Sequence, residues 1–169
     1  MLVTAPDRSP DNGQAASNGG ASPVPGADPT DFHGTYAGVD GALAEIRADV
    51  SRWFAERGFS AAAIDRAALT VSELSSNAIE AGPGHPLDVR LTFHAGPPSR
   101  AAITVTNVTL GGTPPPRDRW APTDPLAPRG RGLAIVDALS DEVQVDSTVP
   151  GRVTVTAHLS DSTAPLSAD

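Results

Sequence analysis

The chain has no cysteine and no lysine. The first absence excludes disulfides and thiolate metal sites. The second makes all twelve basic residues arginine, so any cation that meets a phosphate must be a guanidinium. The four histidines, at positions 33, 85, 94 and 158, show no ligand spacing, and zinc is not expected. No basic patch or stripe is present, which argues against a binder of phosphate backbones, so no direct nucleic-acid partner is expected. No apolar run approaches the ~20 residues that cross a bilayer. The N-terminus lacks a basic stretch followed by apolar residues. A cytoplasmic protein with no membrane partner is the expectation.

What the chain has in excess is proline and glycine, 17 and 16 residues. Part of that excess lies in residues 1–31, which also carry four Asp against one Arg and almost no large apolar side chain after Leu2 and Val3. Such a segment buries too little surface to offset its ordering entropy, so it reads as a disordered acidic tail. Residues 160–169 read as a shorter tail of the same kind. The remaining 32–159 suit one compact domain, nearly balanced in charge.

Within that domain the hydrophobic period alternates between helix and strand. Phe32 to Tyr36 suits a short edge strand. Asp40 suits a helix cap, with Leu43, Ile46, Val50, Trp53 and Phe54 following at helical spacing until Gly58. A second helix is expected from about Ala62 to Ala81, with Ile64, Ala67, Val71, Leu74 and Ala78 inward. Leu87, Val89, Leu91 and Phe93 then alternate as in a half-buried strand, and a second strand ends near Asn107. The stretch from Thr109 to Arg129 is too rich in proline for helix or inner strand and reads as a long functional loop. A short helix from Gly132 and two strands, around Val143–Val145 and Val153–Leu159, complete the order. Helices on one face of a mixed, largely antiparallel sheet fit it, an α+β class.

Three groups of residues invite chemistry. Thr70, Glu73, Asn77 and Glu80 share one side of the second helix. An acid and a carboxamide one turn apart suit a divalent ion on a phosphate, because magnesium favours hard oxygen ligands and Glu can deprotonate a hydroxyl. Taken alone, they also fit an ordinary solvated helix face. Gly130-Arg131-Gly132-Leu133 enters a helix, where glycines let backbone approach an anion and free N–H groups attract it. A plain Gly-rich loop reads the same way. Asn107 ends an apolar strand, which fits either a recessed polar group or a turn residue.

In order, Glu73-Leu74-Ser75-Ser76-Asn77-Ala78, the strand ending at Asn107, and Gly130 to Val136 resemble the N, G1 and G2 boxes of the GHKL ATPases. The wording from Leu69 to Ala78 resembles their stand-alone branch, the anti-sigma-factor serine kinases. The resemblance covers about Phe32 to Leu159. It implies a Bergerat-type two-layer sandwich, an ATP-dependent protein serine/threonine kinase, and ATP with Mg2+ as cofactors. It further implies an anti-anti-sigma-type protein and a sigma factor as partners, and a homodimer, since such relatives often dimerise. By position, Glu73 would be the general base and Asn77 would hold magnesium. Gly130, Arg131, Gly132 and Leu133 would cradle phosphates, Asn107 and Gly111 would lie at the adenine, and Thr109 to Arg129 would be the lid.

The pattern departs from the family at several positions. Asn107 stands where relatives have Asp, and Thr109 replaces a first glycine. Ala81 stands where an aromatic or His is usual. Arg152 follows Gly151 where a Thr is usual, leaving Thr154 as a substitute. An uncharged acceptor at 107 is expected to weaken adenine binding, so Asn107→Asp is expected to tighten it. These departures keep open a non-catalytic, partner-binding module with a degenerate adenine site.

Overall fold

The computed structural model describes residues 31–111, 114, 115, 117–120 and 131–162. Gly112, Arg129, Gly130 and the greater part of both tails lie outside the described residues. The strands are β1 (Phe32–Tyr36), β2 (Leu87–His94), β3 (Arg100–Val108), β4 (Glu142–Asp146) and β5 (Arg152–Ser160). The helices are α1 (Leu43–Glu56), α2 (Ala61–Ala81) and α3 (Gly132–Leu139). Among the described residues, no helix is long and apolar enough to cross a membrane.

The strands make one sheet in the order β1-β2-β3-β5-β4, and every pair is antiparallel. The period-two pattern sets its two faces. Leu87, Val89 and Leu91 are buried, as are their cross-strand partners Ile103 and Val105. The alternate positions Thr104 and Thr106 pair through their hydroxyls with Thr156 and Thr154 on the opposite face, at 3.1 and 3.0 Å. The helices cover the apolar face, an α+β two-layer arrangement. α1 contributes Ile46, Val50, Trp53 and Phe54 to the core, and the Phe54, Phe59 and Phe93 rings meet edge-on or tilted. Tyr36 ties β1 to α1 by donating its hydroxyl to Asp49 Oδ2 at 2.7 Å. Burial and that bond push the tyrosine hydroxyl above its ordinary range.

One expectation at a helix start changes. Asp40 does not cap α1: it opens a 3-10 turn (Asp40–Ala42) that runs into the helix, and no side chain caps either. The turn itself takes the early N–H groups, with Ala42 N–H donating to Val39 O at 3.0 Å. α2, by contrast, has a side-chain cap in Ser60, whose Oγ accepts from Ala63 N–H at 3.3 Å. Asp161 reinforces it from the far end of the chain, accepting from Ser60 N–H at 3.0 Å and Ser60 Oγ at 2.5 Å. Such a cap contributes ~1 kcal/mol. β5 therefore extends to Ser160, and residues just beyond it help fix the start of α2.

Candidate functional site

α2 crosses the sheet beside β3 and meets α3 along its C-terminal half. Between them lies a cavity of about 290 Å³. Its inner wall is Leu74, Ala78, Val105, Val153 and Val155, and its polar positions include Asn77 and Asn107. Gly132 and Leu133 close it from α3, and Pro114, Pro115, Arg119 and Trp120 close it from outside.

The N and G2 boxes of the sequence pattern meet at a single point. A Cβ placed on Gly132 would stand 2.9 Å from Glu73 Oε2 and 3.0 and 3.1 Å from the two ends of the Asn77 amide. Having no Cβ, glycine lets the start of α3 approach the Glu73-Asn77 turn of α2 without displacing either side chain. Asn77 Nδ2 is buried there without a hydrogen-bond partner. A buried amide left unpaired costs about 1–3 kcal/mol, so the arrangement is poised for a ligand rather than self-satisfied. Glu73 is half-buried and makes no hydrogen bond or ion pair among the described residues. The first-turn N–H groups of α3 point from the same place, with Arg131 exposed at its cap position.

The rest of that helix side does not join the site. Thr70 is fully buried in the core and Glu80 is exposed, because the apolar stripe of α2 is wide enough to take in Thr70 and Ser75.

Close packing at Gly132 gives a sharp expectation. Alanine suits a helix better than glycine by ~0.5–1 kcal/mol, and the atoms it would meet are side-chain ends that can move. Gly132→Ala should therefore keep or raise the melting temperature while displacing Glu73 and Asn77. Binding of the ATP that the resemblance implies should fall about tenfold or more, equivalent to ~1.4 kcal/mol. Wild-type affinity in this variant, measured by calorimetry, would show that the contact is only structural.

Asn107 is buried on the cavity wall, and its orientation is fixed. Nδ2 donates to Val108 O at 2.9 Å and to Ala78 O at 3.3 Å. Two carbonyls demand a donor, so the amide nitrogen must face them. Oδ1 is left without a donor among the described residues, on a side chain that lines the cavity. The site thus offers a neutral acceptor for an amino group. The same geometry counts against exchanging the amide for a carboxylate, contrary to the expectation drawn from the family pattern. Gly82 holds this corner together: a Cβ there would lie 2.0 Å from Val108 O, so α2 ends directly against the end of β3.

The remaining positions divide. Thr109 and Gly111 line the cavity, with Thr109 Oγ1 donating to Gly111 O at 3.2 Å. A Cβ on Gly111 would meet nothing within 4 Å, so glycine is not sterically required there. Ala81 also lines the cavity. Thr154 does not substitute for the missing Thr. Val153 and Val155 face the cavity, so strand alternation turns Thr154 to the other face, where it pairs with Thr106. Arg152 is exposed. Gly130 lies outside the described residues.

Two cavity residues were not singled out by the motif. Trp120 is only 5% exposed although it belongs to a proline-rich segment. Arg119 also lines the cavity and has no ion pair among the described residues. The available signal was compositional: Trp120 is the only aromatic residue after Phe93. Among the described residues no three His, Asp or Glu cluster to hold a metal by themselves.

The profile of the histidine kinase-like ATPase domain matches residues 38–159. No curated protein matches the chain in sequence. Among solved structures, the RsbU and RsbW domains of Rv1364c from Mycobacterium tuberculosis share the fold, with a TM-score of 0.54 at 19% identity. That likeness covers 76% of this chain and 32% of the other. From the cavity, the glycine contact and the matched span together, the chain belongs to the histidine kinase-like ATPase domain family.

Proposed function

We propose that this domain binds ATP with magnesium and transfers its terminal phosphoryl group to a serine of a small antagonist protein, and that it also binds a sigma factor. The observation that carries the reading is the meeting of Glu73, Asn77 and Gly132 beside a cavity that presents a free acceptor at Asn107. The residues fit the metal and its phosphates: Asn77 lines the cavity, its amide oxygen is the kind of hard ligand magnesium takes alongside water and phosphate, and its unpaired buried Nδ2 is a donor for an anion. Magnesium, when bound, neutralises phosphate charge and leaves the phosphorus more open to attack. The α3 N-terminus offers backbone donors to the phosphates, and Arg119 and Arg131 supply the cations that a chain without lysine can supply. Glu73 accepts the proton of the serine hydroxyl as its oxygen bonds to phosphorus and the bond to the ADP oxygen breaks.

A second reading is a partner-binding module without turnover. It is favoured by the absence, among the described residues, of any group that orients the Glu73 carboxylate, since catalytic bases are usually held by a third residue. Calorimetric titration with magnesium-ATP, with Asn77→Ala as control, decides first. Wild-type binding that is lost or much weakened in Asn77→Ala supports the ATP site. No wild-type binding at millimolar nucleotide overturns the kinase reading and leaves the module. Phosphate transfer to a candidate serine-containing partner then separates the two readings.

A further inference from the structure

We infer that Trp120 is the wall on which the base of the bound nucleotide stacks, with the indole covering the flat face of a purine while Asn107 Oδ1 meets its amino edge. This rests on the reading of the cavity as a nucleotide site. Trp120 is buried, and its one polar group is satisfied locally, Nε1 donating to Pro115 O at 2.8 Å. The rest of the ring is therefore an apolar surface, and it lines the same cavity as Asn107, Ala81, Val153 and Val155.

The ring is also held from outside the cavity. The Arg117 guanidinium lies 5.8 Å from the ring centroid and pairs with Asp137 on α3. That contact links the segment that carries the indole to α3, the helix that begins beside Glu73 and Asn77. The cavity volume, at the lower edge of the ~300–1,000 Å³ usual for small-molecule sites, suits a base more than a whole nucleotide. Aliphatic side chains and an indole line one cavity, surfaces of the kind that suit an aromatic heterobicycle.

The test isolates the base from the phosphates by using adenosine beside magnesium-ATP. A Trp53→Phe background leaves Trp120 as the only indole; Trp53 packs on Phe54 and Arg57 and does not line the cavity. Adenosine should quench the remaining emission. Trp120→Leu should bind both adenosine and ATP about tenfold more weakly, with Trp120→Phe between it and wild type. Should the leucine variant fail to fold, the quenching and the phenylalanine variant still decide. Emission unchanged at an adenosine concentration that equilibrium dialysis shows to be saturating overturns the stacking, as does wild-type affinity in a folded Trp120→Leu. A wild-type protein that binds neither ligand by dialysis overturns the nucleotide reading itself, and the stacking with it.

Discussion

Glu73→Ala is expected to lower phosphoryl transfer to a serine-bearing partner by about a hundred- to ten-thousandfold, the usual span for loss of a positioned general base. Nucleotide binding should change little. Glu73 stands at the edge of the site: its carboxylate lies beside the open side of Gly132 but is not part of the cavity wall. Removing its carboxylate leaves the Asn107 acceptor, the aliphatic floor and the α3 N-terminus in place. Glu73 makes no hydrogen bond or ion pair among the described residues, so the variant should fold as well as wild type. Titration calorimetry and a radiolabel transfer assay separate the outcomes. Loss of binding along with transfer would make Glu73 a structural residue, and unchanged transfer would remove it from the mechanism.

The two halves of this site were not equally legible in the sequence. Glu73 and Asn77 are one helical turn apart, and Gly132 begins a helix. Alone, each also fitted a solvated helix face or a plain Gly-rich loop; it was their order along the chain, through the resemblance to the N and G2 boxes, that pointed to them. The second helix was likewise legible to within a residue at each end, because its apolar stripe is long and Gly82 stops it. The base side depends on non-local facts. Which way Thr154 faces is set by register with Thr106 on β3. Thr70 looked like a site residue by spacing and is a core residue by packing. Trp120 sits among prolines, where composition predicts an exposed loop, yet it is buried because a cavity wall needed covering. A mixed, largely antiparallel sheet was legible from the order and period of the elements, and the described strands pair antiparallel throughout, whereas the way into α1 was not legible, since a 3-10 turn and a capped start share the same residues at Asp40.

Asn107→Asp is expected to destabilise the protein at neutral pH by about 1–3 kcal/mol, the cost of leaving buried groups unpaired, and not to tighten ATP binding. The amide nitrogen now donates to Val108 O and Ala78 O. A carboxylate would set an oxygen against both carbonyls, on a residue only 8% exposed. A carboxylate that turns aside to escape them gives up the position from which Oδ1 meets an adenine amino group. The charge-assisted bond that favours aspartate elsewhere in the family then has no fixed place from which to act. The sign of the pH dependence follows. Burial and the two carbonyls raise the folded-state pKa of the new acid above its unfolded value of ~3.9. The penalty is therefore full above the folded pKa and fades as pH falls toward ~4, where a protonated carboxyl can again donate to Ala78 O. Melting curves of variant and wild type should lie furthest apart at pH 7 and converge on acidification. A variant that melts with wild type at pH 7 and binds ATP more tightly would mean that the Asn107 amide is not held by those carbonyls.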